Sequence, residues 1–270
     1  MPTKYLRRDD QALHYLHTGA TTLPDRPPET SRGACVVFLH GEGGNAALWS
    51  RELAHFAAAH SALALDLPAH GRSSGLDGPA SIEAAATVVT DFLAGIAAPP
   101  AVLVGHGFAG HVALQVALAG ADRVRGVVTL GTAACAAIPD DAIDKLRLVV
   151  RGRLGQQFDT PYFGASPDMN VMREWWGELV KTDPKVRLSD LLAYRGSTVA
   201  ARLGEVACPV LVVAGEADRM CPRAGAEELV AALRHARLAT IADAGHALHL
   251  EKATEVNAAI ETFVNEQAAA

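Results

Sequence analysis

The sequence predicts a doubly wound α/β fold with a mainly parallel sheet, and three observations carry that expectation. Short, almost wholly apolar runs recur at 34–39, 62–66, 101–105, 125–130 and 209–214, as expected of strands covered on both faces by helices. Segments with helical spacing of apolar residues, 46–59 and 82–96, alternate with these runs. The third observation is local: the strand Val102-Leu103-Val104 runs into Gly105-His106-Gly107 and then into Phe108-Ala109-Gly110-His111, a glycine turn that opens a helix.

The remaining elements follow in order. Residues 4–8 and 12–17 read as an antiparallel hairpin, followed by a Pro-rich loop over 22–32. Between 136 and 204 the alternation stops. Apolar residues recur there at helical spacing in 142–150, 171–180 and 188–203, with no strand pattern, so the segment reads as a helical cap inserted into a core made of 1–135 and 205–270. Trp175, Trp176, Tyr162 and Phe163 fall in the insert. They either pack the cap or line an apolar pocket.

Composition sets limits on function. The 270 residues are 50% hydrophobic, enough for a large core. The net charge of -6 is mild, and the lysines and arginines are scattered, so the chain shows no electrostatic footprint for nucleic acid or an anionic membrane. Cys35, Cys135, Cys208 and Cys221 are far apart without C-x-x-C spacing and read as reduced thiols. No His and carboxylate trio has metal-ligand spacing along one element, so neither a metal nor another cofactor is expected. The N-terminus lacks the apolar run of a secretory signal, and no stretch reaches the ~20 apolar residues of a membrane span. A cytoplasmic protein is expected.

Four motifs join the glycine turn in chain order: His40-Gly41-Glu42-Gly43-Gly44, Asp66-Leu67-Pro68-Ala69-His70-Gly71-Arg72-Ser73-Ser74, Gly215-Glu216-Ala217-Asp218, and Gly245-His246 followed by Glu251. Together they resemble the α/β-hydrolase superfamily, in its cap-containing esterase, lactonase and C–C hydrolase branches. In that resemblance the turn at 105–109 is the nucleophile elbow, Asp218 the acid, His246 the general base, and the backbone N–H groups of Glu42 and Phe108 the oxyanion hole. His40, Trp175 and Trp176 are implied to line the substrate pocket. Ser73 and Ser74 belong to a structural turn in which Ala69 replaces a family glycine, and are expected to bond local backbone. His106 is expected to pack beneath the site, and His111 and His249 to serve in packing.

The elbow departs from the family where it matters most, because Gly107 stands where the serine nucleophile belongs. Glycine relieves the strain of the turn, about 1–3 kcal/mol for other residues, but it excludes an acyl-enzyme at that position. In a serine protease, losing the nucleophile costs about a millionfold in turnover. Three readings stay open: an enzyme in which His246 and Asp218 activate water or remove a substrate proton directly, a serine hydrolase inactivated by replacement of its nucleophile, and a non-catalytic homologue that binds a ligand or partner. For the enzyme readings the substrate is a small carbonyl compound: an ester, lactone, thioester or β-dicarbonyl. Glu42 is the second departure. It either points into the pocket, where an ionised carboxylate opposes a developing oxyanion, or turns outward to cap a backbone amide.

Overall fold

The computed structural model describes residues 1–8, 10–23, 26–158 and 160–269. Pro24 and Asp25, in the expected Pro-rich loop, and Ala270 lie outside them. A single sheet runs in the order β1-β2-β4-β3-β5-β6-β7-β8. Its strands are β1 (Thr3–Arg8), β2 (Gln11–His17), β3 (Cys35–Leu39), β4 (Ser61–Leu65), β5 (Ala101–His106), β6 (Val124–Leu130), β7 (Val210–Gly215) and β8 (Ala236–Ile241). The hairpin β1–β2 and the pair β2–β4 are antiparallel, and every later pair is parallel.

The period of two along the strands divides the core into two layers. Val36, Phe38, Val102 and Val104 pack on one face with Trp49, Phe56, Ile260 and Phe263. Val37, Leu39 and Leu103 pack on the other with Phe92, Val112 and Leu229. The first face is covered by α1 (Ser50–Phe56) and the C-terminal helix, the second by α2 (Ile82–Gly95) and α3 (Phe108–Ala119). Where one helix was expected over 46–59, a 3-10 turn at Ala46–Trp49 precedes α1. Asn45 caps that turn by accepting the Ala47 N–H at 3.0 Å.

Among the described residues three α-helices lie between β6 and β7: α4 (Asp140–Val150), α5 (Met169–Leu179) and α6 (Pro184–Arg195). The single segment expected over 188–203 is two elements. Helix α6 starts at Asp183, whose carboxylate accepts the Lys185 N–H with Pro184 in the first turn, and it stops at Gly196 before a 3-10 run at Val199–Glu205. After β7 come α7 (Arg223–Ala232), β8, α8 (Leu248–Glu251) and α9 (Ala253–Ala269). No helix among the described residues is long and apolar enough to cross a membrane.

Candidate active site

The site forms where β5, β6 and β7 end. Strand β5 passes through Gly107 into α3 with φ +52° and ψ -117° at that residue, a conformation that L side chains rarely adopt. The turn is tight enough that a Cβ on Gly105 would meet the Ala109 carbonyl oxygen at 2.2 Å, which requires glycine there as well. The loop after β7 presents Asp218, and the loop after β8 presents His246. Both side chains are buried, and His246 Nδ1 donates to Asp218 Oδ2 at 2.9 Å. Asp218 Oδ1 accepts the N–H groups of Met220 and Cys221, each at 2.8 Å, which holds the carboxylate in register with the ring.

Electrostatics favour an ionised Asp218 beside a basic imidazole. Burial pushes the Asp218 carboxyl up, but the His246 charge, its hydrogen bond and the two N–H groups outweigh burial and leave it below the usual carboxylate range. Burial pulls His246 down, while the charge and hydrogen bond of Asp218 and the charges of Glu42 and Glu251 outweigh it and raise the imidazole above its ordinary 6.5.

Glu42 turns inward. It is 6% exposed, and its Oε2 is buried without a hydrogen-bond partner. A Cβ built on Gly107 would lie 3.1 Å from that oxygen and 3.4 Å from His246 Nε2. Carboxylate and imidazole therefore border the same small space, the one in which a serine side chain would begin. The N–H groups of Glu42 and Phe108 donate to no acceptor among the described residues, which leaves two backbone donors beside that space.

One stripe of α6 roofs the turn that carries Glu42, because positions 187, 190 and 194 share a helix face. Asp190 Oδ2 accepts the Gly43 N–H at 2.9 Å and bonds His70 Nε2 at 2.8 Å. The Arg187 stem lies against Gly43, and its guanidinium donates to the Tyr162 hydroxyl at 2.8 Å. Tyr194 packs edge-on against His111 and Phe108. Burial, then the charges of Cys221 and Glu42, push its phenol well above 10, so it stays a neutral hydrogen-bond donor. The Tyr162 ring is 5.8 Å from His246, and beside it Trp175, Trp176, Phe158 and Leu179 line a recess too tight to hold a water molecule.

A model of the α/β hydrolase family matches residues 36–259. This chain belongs to the α/β hydrolase family. A pimeloyl-[acyl-carrier protein] methyl ester esterase of Serratia marcescens is 30% identical over 246 residues, covering 85% of this chain and 93% of that protein. A putative carbamate hydrolase of Variovorax paradoxus is 27% identical over 250 residues, covering 86% and 92%. Among solved structures, a thermophilic esterase from Thermogutta terrifontis superposes with a TM-score of 0.84 at 20% identity, covering 99% of this chain and all of that one.

Within this α/β hydrolase the residues singled out from sequence fall into two groups. Gly107, Phe108, Glu42, Asp218 and His246 converge, and Trp175 and Trp176 line the adjoining recess. His40 does not present a free ring: Nδ1 donates to the Gly41 carbonyl and Nε2 accepts the Leu67 N–H, so both nitrogens are consumed in holding the turn. Ser73 and Ser74 accept the N–H groups of His14 and Ala12. His106 lies under the site with Nε2 on the His246 carbonyl, and burial and the charge of His246 pull it down to about 3. The His249 ring lies beside it, tilted by 53° with centroids 4.7 Å apart. Asp190 and Tyr194 were not found from sequence, although their i, i+4 spacing on an amphipathic helix after Asp183-Pro184 was a readable signal. No cluster of His, Cys, Asp and Glu among the described residues is arranged to hold a metal ion.

Proposed function

We propose that this chain is a hydrolase or lyase of small carbonyl substrates (ester, lactone, thioester or β-dicarbonyl) that works without an elbow nucleophile. His246, oriented by Asp218, is the general base, and the N–H groups of Glu42 and Phe108 hold the substrate oxygen. Residues 136–204 act as the cap over a core of 1–135 and 205–270, with Trp175 and Trp176 on the pocket wall, and the compartment is the cytoplasm. The observation that carries this reading is His246 Nε2, 3.4 Å from the Cβ position of residue 107 while Nδ1 is held by Asp218. The free Nε2 faces the position where the side chain of an elbow serine would begin, and in this reading a water or a substrate hydroxyl takes that proton-giving role. The esterases and the carbamate hydrolase among the relatives support a carbonyl substrate.

The test is a panel of activated esters, lactones and β-dicarbonyls turned over by the unmodified chain and by His246→Ala. Turnover that disappears in His246→Ala is the expected result. Turnover that survives it overturns the dyad, and ligand binding without turnover in either protein favours a non-catalytic homologue.

A further inference from the structure

Glu42 is left unexplained by that scheme, and its placement works against ordinary acyl transfer. A carboxylate that stays ionised next to the Glu42 and Phe108 N–H groups repels the oxyanion those groups would receive. The conflict vanishes if the carboxylate changes charge during the reaction. When Glu42 takes a proton from the substrate, the negative charge passes from its carboxylate to the substrate oxygen, and the total charge of the buried site stays constant. His246 borders the same space from the other side, and Glu42 and Asp218 both favour its protonated form. The two groups thus present a carboxylate and an imidazole to one space from opposite sides.

Resting on the dyad reading above, we propose that Glu42 and His246 form a paired acid and base over Gly107, and that the substrate is a small carbonyl compound bearing a removable hydrogen on the carbon beside the carbonyl. Glu42 Oε2 takes that hydrogen as a proton. The C–H electron pair becomes the new C=C bond, the carbonyl π pair moves onto oxygen, and His246 gives its Nε2 proton to that oxygen. The products are a protonated Glu42, a neutral His246 and an enol. The enol returns to a carbonyl compound by the reverse transfers, or goes forward: His246 takes back the enol O–H proton, the C=O re-forms, the C=C pair becomes a new C=C bond to the next carbon, and the group on that carbon leaves with its bonding pair and the proton of Glu42. No oxidant or co-reactant is needed. Gly107 is then the residue that makes room, because any side chain there, already 3.1 Å from Glu42 at its Cβ, separates the pair from the substrate.

The experiment follows deuterium incorporation from D₂O into the α-carbons of cyclohexanone and γ-butyrolactone by proton NMR, with lactone opening monitored in the same tubes. The unmodified chain is expected to exchange both compounds faster than buffer. Glu42→Gln, which keeps the size and removes the base, is expected to slow exchange by about 100-fold or more. It should also move the pH dependence set by His246 to lower pH, since one of the charges that raises this imidazole is gone. No exchange above buffer with the unmodified chain, or equal exchange by Glu42→Gln, overturns the proposal. Lactone opening that requires His246, with no α-exchange above buffer, overturns it while leaving the dyad reading in place.

Discussion

Of the three buried histidine–carboxylate pairs among the described residues, two share nearly the same geometry with different consequences. His246 and Asp218 meet at 2.9 Å, His70 and Asp190 at 2.8 Å, and in both cases opposing charge and hydrogen bonding outweigh burial and raise the imidazole. The difference lies in the second nitrogen. His70 Nδ1 contacts the Pro68 carbonyl while Nε2 contacts Asp190, so both nitrogens donate and the ring is a charged clasp. His246 uses Nδ1 alone and leaves Nε2 facing the space over Gly107. A buried His–Asp pair therefore carries chemistry only where the fold leaves one ring nitrogen unoccupied, which neither distance nor burial reports.

The largest effect should come from supplying the free nitrogen of His246 with the nucleophile it lacks. Gly107→Ser alone leaves Glu42 against the new side chain. Gly107→Ser with Glu42→Ala is expected to cleave an activated ester at least about a thousandfold faster than the single variant, read by release of the phenolate. Equal rates for the two would show that Glu42 is no obstacle.

Exchanging the roles of the pairs gives the next effect. His246→Ala should lower turnover about 10²–10⁴-fold and cost less stability than the loss of Asp190, because Asp218 keeps the Met220 and Cys221 N–H groups. Asp190→Ala, which strands a buried His70 and the Gly43 N–H, should cost about 3–5 kcal/mol of stability by chemical denaturation. A comparable stability loss in both would erase the distinction.

Stability should also depend on pH through the clasp. The folded His70 titrates above its unfolded value near 6.5, so its contribution is complete below that value and is lost as pH rises through the raised folded one. His246 contributes in the same direction. The fall in melting temperature on the alkaline side should thus be shallower in His70→Gln, though not flat.

The smallest effect concerns the same turn as His70. Ala69 has φ +65°, the left-handed region, where the related motif carries glycine. Ala69→Gly is expected to stabilise the protein by under about 1 kcal/mol, since the relief of strain is partly offset by the greater freedom of glycine in the unfolded chain.

Most of the sheet was legible because its central strands are apolar on both faces: β3 to β7 coincide with the predicted runs to within a residue at each end. Strand β8 was not. It lies at the sheet edge, and the half-exposed residues of Ala236–Ile241 include Arg237 and Thr240, so no apolar run marks it. In the site, Gly107, Asp218 and His246 were legible through their motifs, since turns of fixed geometry demand particular residues at fixed spacing. That both His40 ring nitrogens hold the turn was not legible, because a motif says which residue follows a strand, not which way its ring nitrogens bond. Asp190 and Tyr194 belong to no motif, and only the folded contact of α6 with the Glu42 turn shows what they touch.

The hydrogen bond from Gly43 to Asp190 ties the roof of the site to the floor of its neighbouring turn. His246, Asp218 and Glu42 are all at most 6% exposed with α6 in place. Lifting α6 takes Asp190 away from Gly43, and with it the support of the peptide next to Glu42. The packing of α6 and the alignment of that peptide are therefore coupled through one hydrogen bond. Amide exchange at Gly43 should accordingly track that of α6, and slow in step with it when a ligand is bound.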